Sequence, residues 1–155
     1  MENEINLENL RFHQLGYVYK DIDKQIELME SLFGVSKFIV FPSVVMDIVY
    51  RGEETKINVK AASSKIFNTE IELLQPIEGE SIYTEFLNEG REGFHHVAYR
   101  VDDIPLMVRK FKAKEIEVIQ SGKVGSLKYA YLDTEKKLGM IFELHEESRR
   151  RRRKK

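Results

Sequence analysis

Two glutamates stand on short apolar runs, Glu72 in Ile71-Glu72-Leu73-Leu74 and Glu143 in Phe142-Glu143-Leu144. Each follows a segment that carries polar residues near its start. The first segment is Phe12-His13-Gln14-Leu15-Gly16-Tyr17-Val18-Tyr19-Lys20-Asp21-Ile22; it returns as Phe94-His95-His96-Val97-Ala98-Tyr99-Arg100-Val101-Asp102-Asp103-Ile104. A unit that twice supplies one polar strand-start residue and one strand glutamate can close a four-ligand metal site. Alone, either glutamate reads as a residue on the exposed face of an edge strand, and the repeat is what makes both ligand candidates. Nitrogen and oxygen donors without sulfur suit a divalent metal ion (Zn, Co, Ni or Mn). The chain has no cysteine, which excludes disulfides and thiolate zinc sites.

These residues must be positioned by strands and by the corners that follow them. Arg11 to Tyr19 has strand character, and Asp21 or Asp23 can cap a helix carrying Ile22, Ile26, Met29 and Phe33 at helical spacing. Gly34 ends that helix. Lys37 to Phe41, Val44 to Tyr50, Lys56 to Ala62 and Thr69 to Leu74 read as strands, with a turn at Arg51-Gly52-Glu53-Glu54. Ser81 caps a short helix, Ile82 to Glu89. The second copy runs from strand Gly93 to Val101 through a helix near Ile104 to Lys114, with Asp103 as cap and Pro105 in the first turn. Strands near Glu117 to Gln120, Leu127 to Leu132 and Met140 to His145 complete it.

The pattern is βαβββ twice: module 1 over about 11–76, a linker helix over about 77–92, module 2 over about 93–146, and a basic tail over 148–155, all in one domain. Gln14 to Glu72 spans 58 residues and His96 to Glu143 spans 47. The additional residues of the first copy are expected between Pro42 and Phe67, as a longer hairpin. Counting back eight residues from Ile22 and from Ile104 gives Gln14 and His96. Alternation then puts Gln14 with Gly16 and Val18, and His96 with Ala98 and Arg100, on the cavity faces. His13 and His95 fall on the opposite faces and are expected to pack under helices. His145 is expected to be exposed near the rim, and Asp47 is a further candidate acid or base in the first copy.

Charged residues make up 33% of the chain and hydrophobic ones 42%, as in soluble globular proteins. No apolar run is long enough for a membrane span, and the acidic N-terminus does not read as a secretory signal, so a cytoplasmic location is expected. The net charge of −1 hides seven consecutive cations from Arg149 to Lys155, which leave 18 cations against 26 anions in the rest. An acidic body argues against nucleic-acid binding. The tail reads as a solvated, disordered end.

With these motifs the chain resembles the vicinal oxygen chelate superfamily, the glyoxalase, bleomycin-resistance and dioxygenase group, over roughly Arg11 to Glu146. The resemblance implies an α+β fold in which two βαβββ modules pair into a curved, partly closed sheet cupping one divalent metal, and a homodimer. Carried over by position, the ligands are Gln14, Glu72, His96 and Glu143. That set is similar to the one in zinc-type glyoxalase I. The stretches Glu72-Leu73-Leu74-Gln75-Pro76 and Glu92-Gly93-Phe94-His95-His96 resemble methylmalonyl-CoA epimerases instead, in which His usually stands at the position of Gln14.

The implied chemistry is proton transfer next to a carbonyl. The metal would hold the substrate's oxygens and stabilise an enediolate, and Glu143 and Glu72 would act as acid and base. Arg100 would bind a substrate carboxylate or phosphate. The substrate would be a small molecule, an acyl-CoA thioester for an epimerase or a thiol–ketoaldehyde adduct for a glyoxalase-type lyase. A non-catalytic small-molecule binding or resistance protein is the third expectation.

Overall fold

The computed structural model describes residues 4–34 and 37–148, and the cationic run 149–155 lies outside them. After a 3-10 turn at Leu7–Asn9, the order is β1 (Arg11–Val18), α1 (Ile22–Phe33), β2 (Ile39–Tyr50), β3 (Glu53–Ile66), β4 (Thr69–Glu78) and α2 (Ile82–Asn88). The second unit follows as β5 (Gly93–Arg100), α3 (Ile104–Lys112), β6 (Val118–Val124), β7 (Leu127–Leu132), α4 (Glu135–Leu138) and β8 (Ile141–Glu147).

The repeated corner has one physical cause in both copies. Asp21 accepts from the Lys24 amide and Asp103 from the Leu106 amide, each satisfying an orphan donor of the first helical turn. Each helix therefore starts at the same distance from its strand. The amphipathic faces pack outside the sheet. Ile22 and Ile26 meet Ala62, Ile71 and Leu73, while Met107 and Phe111 meet Leu132 and Leu144.

The strands close into a barrel in the order β1-β4-β3-β2-β6-β7-β8-β5. β1 pairs parallel with β4, β5 pairs parallel with β8, and the two units join antiparallel through β1 and β5. On the far side Ile48, Val49 and Tyr50 pair with Gly122, Ser121 and Gln120, and this completes the closure of the expected curved sheet. The helix α2 plugs one end. Its Ile82, Tyr83 and Phe86 join Val18, Ile48, Ile57, Tyr129 and Tyr131 in an interior cluster. Ser81 and Thr84 form a capping box at its start.

Two expected strands, Lys37 to Phe41 and Val44 to Tyr50, are one. They run together as β2, with an irregularity between Phe41 and Val44 where Pro42 interrupts the ladder to β3. β2 and β3 have 12 and 14 residues against 7 and 6 in β6 and β7, so the longer first copy is a longer hairpin. Its turn is the two-residue Arg51-Gly52, both at positive φ (47° and 84°), which suits the strand twist. Among the described residues no helix is long and apolar enough to cross a membrane.

Candidate metal centre

Glu72 on β4, His96 on β5 and Glu143 on β8 converge inside the barrel, each offering one ligand atom within 4.8 Å of the others. Nε2 of His96 lies 3.0 Å from Oε2 of Glu143 and 3.5 Å from Oε2 of Glu72. The register explains the meeting. Gly16 on β1 is paired with His96 on one side and with Glu72 on the other. A Cβ at Gly16 would stand 1.9 Å from Cε1 of His96, so the imidazole lies across a position that only glycine leaves free. His96 is fully buried and Glu143 nearly so, whereas the Glu72 side chain is 25% exposed and forms the open side.

The atoms that could hold a cation are those without hydrogen bonds. Gln14 Oε1, His96 Nε2 and Glu143 Oε2 are buried and unpartnered. His96 and Glu143 are in contact at 3.0 Å, yet the contact lacks hydrogen-bond geometry. Together with the Glu72 carboxylate they lie within 4.8 Å of one another, close enough to share one cation. Gln14 turns its amide nitrogen to Glu70 at 3.4 Å, leaving the oxygen free. The two carboxylates and one imidazole that converge fit a divalent ion.

The electrostatics point the same way. Burial opposes protonation of His96, but the Glu143 and Glu72 carboxylates outweigh it and lift its pKa to about 9. Burial would raise Glu143, but His145 and His96 hold it well below the usual carboxylate range. The proton on His96 thus sits in a negative field suited to a cation. Burial, with His96 beside it, pushes His95 down to about 3. Neutral His95 can accept through Nδ1 from Nδ1 of His96, 3.0 Å away, which leaves Nε2 of His96 for a metal.

Residues 13–131 match the sequence model of the Glyoxalase/Bleomycin resistance protein/Dioxygenase superfamily. The chain belongs to this superfamily. Mouse mitochondrial methylmalonyl-CoA epimerase is 27% identical over 120 residues, which cover 75% of this chain and 60% of the mouse protein. The bovine mitochondrial epimerase is 36% identical over 61 residues, 38% of this chain and 35% of that protein. Among solved structures, methylmalonyl-CoA epimerase from Mycobacterium tuberculosis superposes with a TM-score of 0.64 at 17% identity, covering 95% of both chains. A methylmalonyl-CoA epimerase in complex with methylmalonyl-CoA and NH4+ gives 0.62 at 20% identity, over 90% of this chain and 96% of that one. These likenesses establish the superfamily's α+β fold for this chain.

Within that superfamily fold, several sequence expectations need correction. Strict alternation fails at two irregularities of the β1–β5 ladder, one between Phe12 and Gln14 and one opposite His95. His13 therefore does not pack under a helix. Its Nδ1 lies 2.8 Å from Nδ1 of His145, and its Nε2 lies 3.1 Å from Glu70 and 2.9 Å from Arg100. His95 is buried against Tyr83 and Phe86 of α2, the linker helix. His145, expected at the exposed rim, is only 4% exposed, with Nε2 3.0 Å from Glu143. Burial opposes its protonation, but the Glu143 charge raises its pKa. Arg100 is exposed and engaged with His13. Asp47 is exposed and paired with Lys56.

Reading by alternation put His145 on the face of Glu143 but expected it exposed, and it missed Tyr129. Tyr129 is the partner of His145 in the β7–β8 ladder, and Tyr131 the partner of Glu143, so both rings share the glutamate's face. Parity between β7 and β8 was the available signal, and it becomes usable only once their pairing is known.

Proposed function

We propose that this chain is a metal-dependent enzyme that moves a proton next to a carbonyl, acting on an acyl-CoA thioester in the manner of an epimerase. The observation that carries the reading is the buried, anionic Glu143, 3.0 Å from both His96 and His145 and within ligand reach of Glu72. Gln14, Glu72, His96 and Glu143 would hold the ion, which when bound supplies Lewis-acid polarisation of the substrate's oxygens. Glu143 takes the proton from the carbon next to the carbonyl. Glu72, on the open side, faces the other side of the substrate and returns a proton there. Exclusion of water around Glu143 keeps that proton from exchanging quickly with solvent. Arg100, exposed at the rim, is the cation proposed to receive a substrate carboxylate. A homodimer is proposed from the superfamily resemblance, and light scattering of the purified protein tests it.

The test is metal analysis of the native protein followed by turnover of methylmalonyl-CoA. No bound metal and no turnover after loading with zinc, cobalt, nickel or manganese would reject the reading.

One observation favours a glyoxalase I-type lyase as second reading. The hairpin wall of the first unit carries Val44, Met46 and Ile48 on β2 paired with Val59, Ile57 and Thr55 on β3, without a titratable group among them. The acid–base groups thus sit on one side of the barrel, as suits a proton moved between neighbouring carbons along one face. Turnover of a glutathione–methylglyoxal hemithioacetal in preference to methylmalonyl-CoA would select it.

A further inference from the structure

Beside the candidate metal centre stands a hydroxyl without a hydrogen-bond partner among the described residues. Tyr129 is 6% exposed, and its oxygen is buried without a hydrogen bond. Tyr131, two residues on and on the same face, joins its hydroxyl to that of Tyr83 at 2.8 Å. Two similar rings on one strand thus differ in one respect: one hydroxyl is satisfied within the protein and the other is not.

The surroundings leave room for the unpartnered one. It lies over Gly122, where a Cβ would stand 2.6 Å from it. Gly122, Ile48 and Tyr129 also line a cavity of about 970 Å³ that runs past Asp47, Lys56 and Lys128 to Ile104 and Val108 of α3, and Glu72, His96 and Glu143 are not in its lining. A second unpartnered donor shares the interior face of β6. Gln120 is fully buried, with Oε1 accepting from the Ile82 amide and Nε2 unpaired. Burying a polar group without a partner is unfavourable, and phenylalanine at this position would avoid it. Burial first, and then the charges of Glu143 and Glu72, push the Tyr129 pKa far up. The hydroxyl keeps its proton at every working pH, so it is a donor in search of an acceptor.

Resting on the function proposed above, we infer that the Tyr129 hydroxyl donates a hydrogen bond to an oxygen of the bound substrate, a carbonyl or carboxylate oxygen held beside the metal. An oxygen acceptor is the ligand chemistry that matches. A cationic group would leave the donor unsatisfied, and a hydrocarbon would leave it as it is. The nearby carboxylates would repel a bare anion, so the acceptor must arrive together with the metal's positive charge. Tyr129 would then choose among ligands by the placement of their oxygens, from the wall that adjoins the apolar hairpin through β2 and β6.

The experiment compares the parent with Tyr129→Phe, each loaded with the same metal, using acetohydroxamate as a probe that carries two adjacent oxygens. Metal content should be equal, and the melting temperature of the variant should be unchanged or higher, because no internal bond is lost. Acetohydroxamate should bind the variant about tenfold more weakly by calorimetry, a loss of about 1.4 kcal/mol. On whichever substrate turns over, kcat should fall more than KM rises. Equal acetohydroxamate affinity within twofold overturns the inference, as does a parent that binds metal but no acetohydroxamate. A variant that melts lower or loses metal overturns it too, by making the hydroxyl structural. Absence of turnover in the parent rejects the proposed function, while the acetohydroxamate arm still decides the hydrogen bond.

Discussion

The two units place their candidate ligands alike and build their hairpin walls differently. In each, a strand start and a fourth-strand glutamate reach the barrel interior through a parallel pair, β1 with β4 and β5 with β8. The hairpin of the first unit is long, apolar and open, with Ile39 and Val45 on β2 both 64% exposed. That of the second is short and buried, with Gln120, Tyr129 and Tyr131 turned inward. Strand pairing constrains the ligand positions, because a one-residue slip would turn a glutamate out of the site. A hairpin wall is under no such constraint. The difference between the walls is therefore where substrate choice and the asymmetry of proton transfer should reside.

The glutamates test the comparison most sharply, since they are equivalent by position and unlike in setting. Glu143→Gln should lower kcat on the order of 10² to 10⁴-fold with the fold intact, the usual size of a general-base contribution. Glu72→Gln should lower it less, because Glu72 is partly solvated and lacks a histidine partner equivalent to His145. Steady-state kinetics on both variants decides this. Activity of Glu143→Gln within a few-fold of the parent would remove it from the reaction.

Gly16→Ala probes the joint between the units. The new Cβ would fall within the His96 ring, so the imidazole must leave its place between Glu72 and Glu143. Metal affinity should drop about 10 to 100-fold, the size seen when support of a metal-binding histidine is lost. Ala98, the corresponding residue of the second unit, already carries a Cβ and is fully buried. Ala98→Gly should therefore leave metal content unchanged. Calorimetric titration with zinc reads both, and normal affinity in Gly16→Ala would show that His96 is not held across β1.

How much of this was legible follows from the range of each interaction. The Asp-Ile corners are local, and counting from them brought His96 to the metal centre and Gln14 to the buried face of β1. Glu72 and Glu143 were legible because the repeat supplied each with a counterpart. His13 was misplaced because the bulge beside it depends on how two distant strands meet, and the burial of His145 was understated because its neighbours come from other strands. The burial of His145 comes from His13, 132 residues away in sequence. Closure through β2 and β6 rests on three residue pairs and left no periodic trace.

His95 gives a stability test. Its folded pKa of about 3 lies below the 6.5 of an ordinary histidine, so the unfolded chain takes up the proton first as pH falls. The contribution of neutral His95 is fully present above pH 6.5 and is lost progressively toward pH 3. Between pH 6.5 and 4.5 the loss should be about 1 to 3 kcal/mol. Urea denaturation across that range should show a shallower decline for His95→Gln. Equal slopes in parent and variant would remove His95 as a source of acid sensitivity.

Gln14 compares the strand starts. Gln14→Leu removes one oxygen donor inside a buried site, and metal affinity should fall about tenfold, near 1.4 kcal/mol. Gln14→His keeps a donor at the same place and should retain more of the affinity. If leucine binds metal as the parent does, the site holds its ion with Glu72, His96 and Glu143 alone.

The smallest expected effect falls on the first hairpin, and it decides whether that wall is chemically silent. Asp47 is the sole acid on β2, and it pairs with Lys56 where both side chains are largely exposed, 82% and 71%. An exposed ion pair of this kind contributes about 0 to 1 kcal/mol. Asp47→Asn should therefore leave stability nearly unchanged and turnover within twofold. A proton path using both walls would need an acid on this hairpin, and Asp47 is the one that β2 offers. A tenfold or greater loss of kcat in Asp47→Asn, with metal content preserved, would mean that the hairpin rearranges to bring Asp47 inward when substrate binds. The single-face proton transfer would then lose its basis, and the epimerase reading would gain an acid on the opposite side of the substrate.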